Sequence, residues 1–281
     1  MTKTALITGA SSGFGLLTTI TLAQRGWRVI ATMRDLGRRE RLEAAARAKG
    51  LLDRIEIRAL DVAVAEQIAA LSAEVGARPA PLDALVNNAG FAMAGFADDV
   101  TDAELRRQFD INFFAAAAVT RAFLPRMRRQ GFGHILMVSS ISGRMGYPGV
   151  GSYAASKFAL EGWAESLRFE FKPLGIQVVL VEPGSFETDI WSRNAVLAEG
   201  LRDPQSPNAS RISTWRSSME DSAKRGNPQV VADKIAAILA DPRPRLRYLV
   251  GRDARLGLAL RRLLPPSLFE RLMIASSGLH R

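Results

Sequence analysis

Short apolar runs alternate with segments of helical length from residue 4 to residue 250, and no other feature limits the fold of this chain so closely. The runs are TALIT from Thr4, WRVIATM from Trp27, RIEIRAL from Arg54, LDALVNN from Leu82, HILMVSS from His134, IQVVLVEP from Ile176 and RLRYLV from Arg245. Helical patterns lie between them: from the first glycine-rich turn to Arg25, then Leu36–Lys49, Ala63–Val75, Thr101–Arg129, about Val150 to Phe171, and Gln229–Leu239. Several of the seven runs are apolar on both faces, as strands covered by helices on either side must be. Right-handed crossovers then give an α/β fold: a doubly wound, seven-stranded, mostly parallel sheet with helices on both faces. No compositional break divides residues 1–250, which read as one domain. Residues 183–227 form a connection far longer than is usual between strand and helix, the length of a substrate lid. Residues 251–281 add an Arg- and Leu-rich tail with LLPPS between two short helical pieces.

Composition removes several classes of chemistry. The chain has no cysteine, which excludes disulfides, thiolate metal sites and cysteine nucleophiles. It has only two histidines, His134 and His280, so no metal centre is expected. A Ser-His-Asp hydrolase would need His134, whose place at the start of an apolar run suits a strand edge better. The net charge of +10 is carried mainly by arginines scattered along the chain, a pattern of composition rather than of a nucleic-acid interface. No apolar run reaches the ~18 residues of a membrane-spanning helix, and no leader precedes the first strand, so a cytoplasmic location is expected. In the tail, Leu256, Leu258, Leu260, Leu263 and Leu264 alternate with Arg255, Arg261 and Arg262. This suggests an apolar face edged by charge, packed on its own domain or in peripheral contact with a membrane.

The first strand runs into TGASSGFG, residues 8–15, and then a helix. In doubly wound sheets ligands bind beyond the carboxyl ends of the strands, near the reversal of strand order. Here Gly9 can make the tight turn, Gly13 can admit a pyrophosphate to the backbone, and Gly15 can let helix pack on strand. The helix start offers unpaired N–H donors and a partial positive charge. The spacing is G-x-x-x-G-x-G, not the usual dinucleotide G-x-G-x-x-G. Other polar clusters close the later strands: LDV at Leu60–Val62, NNAG at Asn87–Gly90, Ser139 and Ser140, and EPG at Glu182–Gly184. YAASK, Tyr153–Lys157, opens the following helix, and the geometry predicts that all of these converge. Asp61 could accept from an adenine amino group.

Together TGxxxGxG, NNAG, Asn112, Ser140 thirteen residues before Tyr153, YxxxK, and PG followed by Thr188 resemble the short-chain dehydrogenase/reductase family over residues 3 to about 250. RVIATMRDL and the tail YLVGRDARLGLALRRLLP resemble members acting on steroids, retinoids and similar lipophilic alcohols or ketones. The resemblance implies a Rossmann fold and hydride exchange with a nicotinamide. It implies Asn112, Ser140, Tyr153 and Lys157 as catalytic residues. Tyr153 passes the proton, Lys157 bonds the nicotinamide ribose and lowers the phenol pKa, Ser140 holds the substrate oxygen, and Asn112 positions a relay water. The cofactor would be held by Thr8, Gly9, Ser11, Ser12, Gly13, Phe14, Gly15, Arg34, Asp61, Val62, Asn88, Ala89, Gly90, Tyr153, Lys157, Pro183, Gly184, Phe186 and Thr188. Lys157 lies one helical turn beyond Tyr153, so its charge falls beside the phenol.

Family alignment puts Met33 at the position where an acid would bind the adenosine ribose, with Arg34 next. Arginine suits a 2′-phosphate, so NADP(H) is expected over NAD(H). Asp35 would serve NAD(H) instead if the strand ended later, and the glycine turn lacks the basic residue that many NADP-preferring members carry. A greasy substrate wall is expected from Phe91, Met93, Met145, Tyr147, Phe186, Trp191 and Trp215. A homo-dimer or homo-tetramer is expected through the helices at 101–129 and 150–171, where Phe158 and Trp163 are candidates. Two rival readings remain: a regulator of the same fold that binds nucleotide without catalysis, and a membrane- or RNA-binding protein driven by the basic tail.

Overall fold

The computed structural model describes residues 2–191, 194–203, 205–208, 211 and 225–276. Its central sheet holds seven strands: β1 (Thr4–Ile7), β2 (Arg28–Met33), β3 (Ile55–Ala59), β4 (Ala84–Asn87), β6 (Gly133–Val138), β7 (Ile176–Pro183) and β9 (Arg247–Val250). They lie in the order β3-β2-β1-β4-β6-β7-β9, and every neighbouring pair is parallel. In register, Leu6 stands between Ile30 and Leu85. The order reverses between β1 and β4, which opens a crevice at their carboxyl ends.

Alternation along each strand divides the apolar core between two faces. Ala5, Ile7, Val29, Val86 and Val179 face one way, against α1 (Gly13–Gln24), α2 (Glu40–Arg47) and α7 (Gln229–Ala240). Leu6, Ile30, Leu85, Ile135 and Leu180 face the other, against α3 (Ala65–Ala77), α5 (Ala115–Gln130) and α6 (Gly151–Phe171). Each fully buried Leu or Ile contributes about 1.5–3 kcal/mol relative to exposure. Two-sided burial of this kind explains why the runs read as continuously apolar.

Three sequence-level boundaries differ from expectation. The helix expected from Thr101 to Arg129 is α4 (Asp102–Phe109) followed by α5, with a π turn at Asp110–Phe114 between them. The extra residue of a π turn re-aims side chains, and here it carries Asn112. The charged helix expected from Leu36 is a 3-10 turn, Leu36–Arg38, before α2 begins at Glu40. The long connection is not wholly irregular: β8 (Ala195–Leu197) pairs in parallel with β5 (Ala92–Ala94), a small second sheet that roofs the crevice. Neither three-residue strand is long enough to announce itself in the sequence.

The tail forms α8 (Arg252–Leu263) and α9 (Pro266–Ser276). Its leucines do not share one face. Ala254, Leu258, Phe269 and Met273 pack on Ile141 and Met145, while Leu256 and Leu263 are 62% and 81% exposed. Asp253 also accepts from Ser185 N (2.6 Å), tying the tail to the loop after β7. A chain ending at Val250 should therefore melt roughly 5–10 °C lower, since it exposes an apolar cluster worth a few kcal/mol. A thermal melt followed by circular dichroism checks this; an unchanged midpoint would mark the tail as dispensable to the fold.

Candidate active site

The turn after β1 is closely fitted to the loop after β4. Gly9 and Gly13 take left-handed backbone, φ +70 and +53. A Cβ on Gly9 would lie 2.8 Å from Ala89 Cα, and one on Gly15 would collide with Gly9 O and lie 2.5 Å from Asn88 Nδ2. Thr8 Oγ1 accepts from Asn88 N and Ala89 N, both 3.0 Å, while Asn88 Nδ2 donates to Thr8 O (2.9 Å) and Gly9 O (3.0 Å). The two Gly-containing loops thus form one hydrogen-bonded floor. Ser12 caps α1 without a side-chain bond, and no acid stands in the first turn. The leading N–H groups are left open and electropositive, which fits a phosphate-bearing ligand.

Beside this floor, α6 brings up Tyr153 and Lys157, both buried. Lys157 Nζ donates to Val138 O (2.9 Å) and stands 5.7 Å from the Tyr153 ring centre. Ser140 caps the turn after β6, accepting from Ser142 N (3.0 Å), and its hydroxyl also bonds the Tyr153 side chain. Burial pushes the phenol up to about 12, with the Ser140 bond opposing. Burial pushes the Lys157 ammonium down to about 8, with the Glu161 carboxylate opposing. Both groups are drawn toward their neutral forms, so added charge in the cleft has leverage over them.

Asn112 sits one layer back. Its Oδ1 accepts from Phe91 N (3.1 Å) and its Nδ2 donates to Phe91 O (3.0 Å) and Ser156 Oγ (3.1 Å). It therefore pins the backbone just after NNAG. A Cβ on Gly90 would lie 3.0 Å from Asn112 Oδ1 and 3.9 Å from Lys157 Nζ, so the three meet at one point.

At the far end of the cleft β2 stops at Met33, whose side chain enters the core. Arg34 follows, exposed and lining the cleft with Arg38. Asp35 is engaged: its Oδ1 accepts from Gly37 N (2.8 Å), which caps the 3-10 turn. Asp61 Oδ1 accepts from Ala63 N (3.0 Å) at the cleft wall. Part of the long connection closes over the opening. Asp189 pairs with Arg41 (2.8 Å), Asn194 Nδ2 reaches Ser12 Oγ (3.5 Å), and Phe186 meets Phe14 edge to face at 5.8 Å.

The cleft encloses about 670 Å³. Of the residues expected at the site, Gly9, Ser11, Ser12, Gly13, Phe14, Arg34, Asp61, Val62, Asn88, Ala89, Gly90, Ser140, Tyr153, Lys157, Pro183, Gly184, Phe186 and Thr188 line it. Thr8, Gly15 and Asn112 instead hold the lining residues from behind. Of the expected wall, Phe91 and Phe186 reach the cleft. Met93 and Met145 are buried in packing, and half-buried Tyr147 packs against both the Tyr153 cluster and the tail. The Trp191 side chain and Trp215 fall outside the described residues. Ile190, Ala195, Val196 and Arg107 also line the cleft and went unrecognised, because only the β5–β8 pairing and the π turn bring them there. His134 lies at the opposite, amino end of β6 with its ring on Asp241 O (3.2 Å), a strand-edge residue as expected.

Comparison with known proteins accords with this geometry. The family model described as short chain dehydrogenase matches residues 3–196. The uncharacterized oxidoreductase YusZ of Bacillus subtilis is 42% identical over 278 residues, covering 96% of this chain and 97% of its own. Human retinol dehydrogenase 8 is 38% identical over 254 residues, 87% of this chain and 80% of its own. A short-chain dehydrogenase structure from Streptomyces avermitilis superposes with a TM-score of 0.83 at 33% identity, covering 100% of both chains. The actinorhodin polyketide ketoreductase with NADPH gives 0.73 at 28% identity, over 88% of this chain and 95% of its own.

The two-loop floor leads to a contrast between glycines. Gly15→Ala should lower stability by about 1–3 kcal/mol, because the methyl group meets backbone that cannot yield. Gly76→Ala, in α3 with open space around it, should stabilise by about 0.5–1 kcal/mol. Urea midpoints of the two variants decide; equal shifts would mean that the floor is not tight.

Proposed function

This chain belongs to the short chain dehydrogenase family and is an oxidoreductase acting on CH–OH groups; from that premise we propose that it interconverts a hydroxyl and a ketone or aldehyde on a lipophilic substrate with NADP(H). The observation that carries this reading is the meeting of Tyr153, Lys157 and Ser140 in one cleft with the open start of α1. NADP(H), held by the glycine turn and the loop after β4, would supply or accept the hydride, and its oxidised form would bring a positive charge into the cleft. Tyr153 gives its proton to the oxygen of a ketone held by Ser140, or takes it back in oxidation. Burial keeps the phenol protonated, and positive charge from Lys157 and an oxidised nicotinamide would draw its pKa back toward working pH, where it can give up that proton. Lys157, charged below about 8, offsets the negative charge that develops on the phenol and reaches the ribose. Asn112 orders the path by which Lys157 exchanges its proton with water. Intact Ser140, Tyr153, Lys157 and Asn112 give no support to an inactive regulator.

The cofactor preference rests on the end of β2. Arg34 and Arg38 face the cleft where an adenosine 2′-phosphate would lie; Asp35 shares that rim, with one oxygen held by Gly37 N and the other 3.9 Å from Arg38. The NADPH-bound ketoreductase among the similar structures fits the same preference. Apolar Phe91, Ile190 and Val196 suit a lipophilic substrate better than a sugar, in line with a relative named retinol dehydrogenase 8. Exposed Phe114, Phe158 and Phe169 on the flank of the π turn and α6 suit a homo-dimer or homo-tetramer. No helix among the described residues is long and apolar enough to cross a membrane. The outward Leu256 and Leu263, with Arg255 and Arg262 exposed beside them, suit peripheral contact with an anionic membrane surface.

Two experiments test the reading. With a panel of steroids, retinoids and aliphatic ketones followed by NADPH absorbance, Tyr153→Phe should abolish turnover and leave NADPH affinity within about threefold; near-normal turnover by this variant would refute the proton role. NADPH should bind at least ~10-fold more tightly than NADH, a difference of about 1.4 kcal/mol. Arg34→Ala should remove most of that margin while sparing NADH, because only the 2′-phosphate loses a charge-assisted bond. Titration of both cofactors checks this, and equal weakening of the two would return the ribose to Asp35.

A further inference from the structure

Beneath Lys157 the fold buries a second group of charges that the hydride chemistry does not call upon. Glu161 follows Lys157 by one more turn of α6, so Tyr153, Lys157 and Glu161 form a single ridge. Glu161 is 4% exposed and Glu182, from β7, is 1% exposed. Arg247 of β9 donates through Nε to Glu161 Oε2 (2.9 Å) and through Nη2 to Glu165 Oε2 (2.9 Å). Arg144, in the turn after Ser140, donates to Glu182 Oε1 (2.9 Å), which lies 3.5 Å from Arg247 Nε.

This cluster is pressed directly against the catalytic turn. A Cβ on Gly143 would lie 2.8 Å from Ser139 Oγ, 2.9 Å from Glu161 Cγ and 3.2 Å from Lys157 O. No side chain separates the Ser139–Gly143 turn from the Lys157–Glu161 turn. Arg247 engages only Oε2 of Glu161; Oε1 is turned away from it and is buried beside the Ser139 hydroxyl, with which it makes no more than a loose bond.

We propose that Glu161 is a positioning residue for the Tyr153–Lys157 pair: its carboxylate, anchored by Arg247, holds Lys157 in its charged form within the buried cleft. The assignment rests on the reading of Tyr153 and Lys157 as the proton-transfer pair. Every charged group against Glu161 enters the balance. Burial and Glu182 raise it to about 7, Arg247 and the Ser139 hydroxyl oppose, and Glu165 and Arg144 complete the shell. Arg247 favours the ionised form of Glu161, and the field of that carboxylate works against the burial that drives Lys157 toward neutrality. Without it, Lys157 would lose its proton at lower pH.

The test reads Lys157 itself. In the full chain labelled with [ε-13C]lysine, the Lys157 resonance is identified by its loss in Lys157→Arg and titrated from pH 6 to 11. Glu161→Gln should move the Lys157 midpoint down by about one pH unit, and Glu161→Asp, which keeps the charge, should return it most of the way. A role in packing alone would lower the melting temperature and leave the midpoint in place. If Glu161→Gln does not fold, Glu161→Asp is the deciding variant: drawn back by one methylene, its carboxylate should give a smaller shift of the same sign. An unmoved midpoint in the variant that folds overturns the proposal. Failure of Tyr153→Phe to abolish turnover would instead overturn the underlying proton role, without touching the Lys157 titration.

Discussion

The close approach of two loops governs the rest of this molecule. The turn after β1 and the loop after β4 meet across the reversal of strand order: the Thr8 hydroxyl and the Asn88 amide bond to backbone across the junction, and Gly9 and Gly15 leave no room there for a Cβ. That contact seats α1 low enough for its unpaired N–H groups to face the crevice. It also sets the depth at which NNAG stands, and thereby the distance from Gly90 to Asn112 and Lys157. A methyl group at Gly15 would separate the glycine turn from the loop that carries Gly90. The two ends of the cleft depend on the same few atoms.

Electrostatics on α6 follow from burial. A phenol and an ammonium with little solvent both drift toward neutrality, and nearby charge can oppose that drift. The oxidised cofactor would oppose it for Tyr153. For Lys157 the protein contributes its own opposing field from Glu161, one turn below, and steadies that carboxylate with Arg247 from the last strand of the sheet. The edge strand β9, far along the chain from the catalytic motifs, thereby joins the site. A sheet edge acting on a catalytic helix through one guanidinium is a long-range consequence of strand order.

The cleft is closed by the parts that join the sheet most loosely. The connection after β7 closes on the cleft through β8, through Asp189 on Arg41 and through Phe186 on Phe14. The tail reaches the same loop through Asp253 and covers Met145 and Tyr147. Met145 is buried beneath the tail, while half-buried Tyr147 packs between the tail and the cluster that holds Tyr153 and Ile190. The residues that do line the wall, Ile190 and Val196, are ordinary aliphatics with no motif to mark them.

The sequence alone determined the sheet, its parallel sense, the glycine turn and the order of polar clusters at the strand ends. These are local matters: two-sided burial writes itself as continuous apolar runs, and left-handed turns demand glycine. It also placed Tyr153 and Lys157 on one helical face, since a four-residue spacing within a helix leaves no other arrangement. Tertiary structure alone decided which residues work from behind the cleft, because Thr8, Gly15 and Asn112 differ from lining residues only in where neighbouring loops fall. It decided that Asp35, at the rim of the cleft, caps a 3-10 turn through Oδ1, which depends on β2 ending at Met33. It brought Arg247 to Glu161 across 86 residues, a pairing that no periodicity encodes. Contacts set by chain geometry within a turn are legible in one dimension; those set by the order in which strands assemble are not.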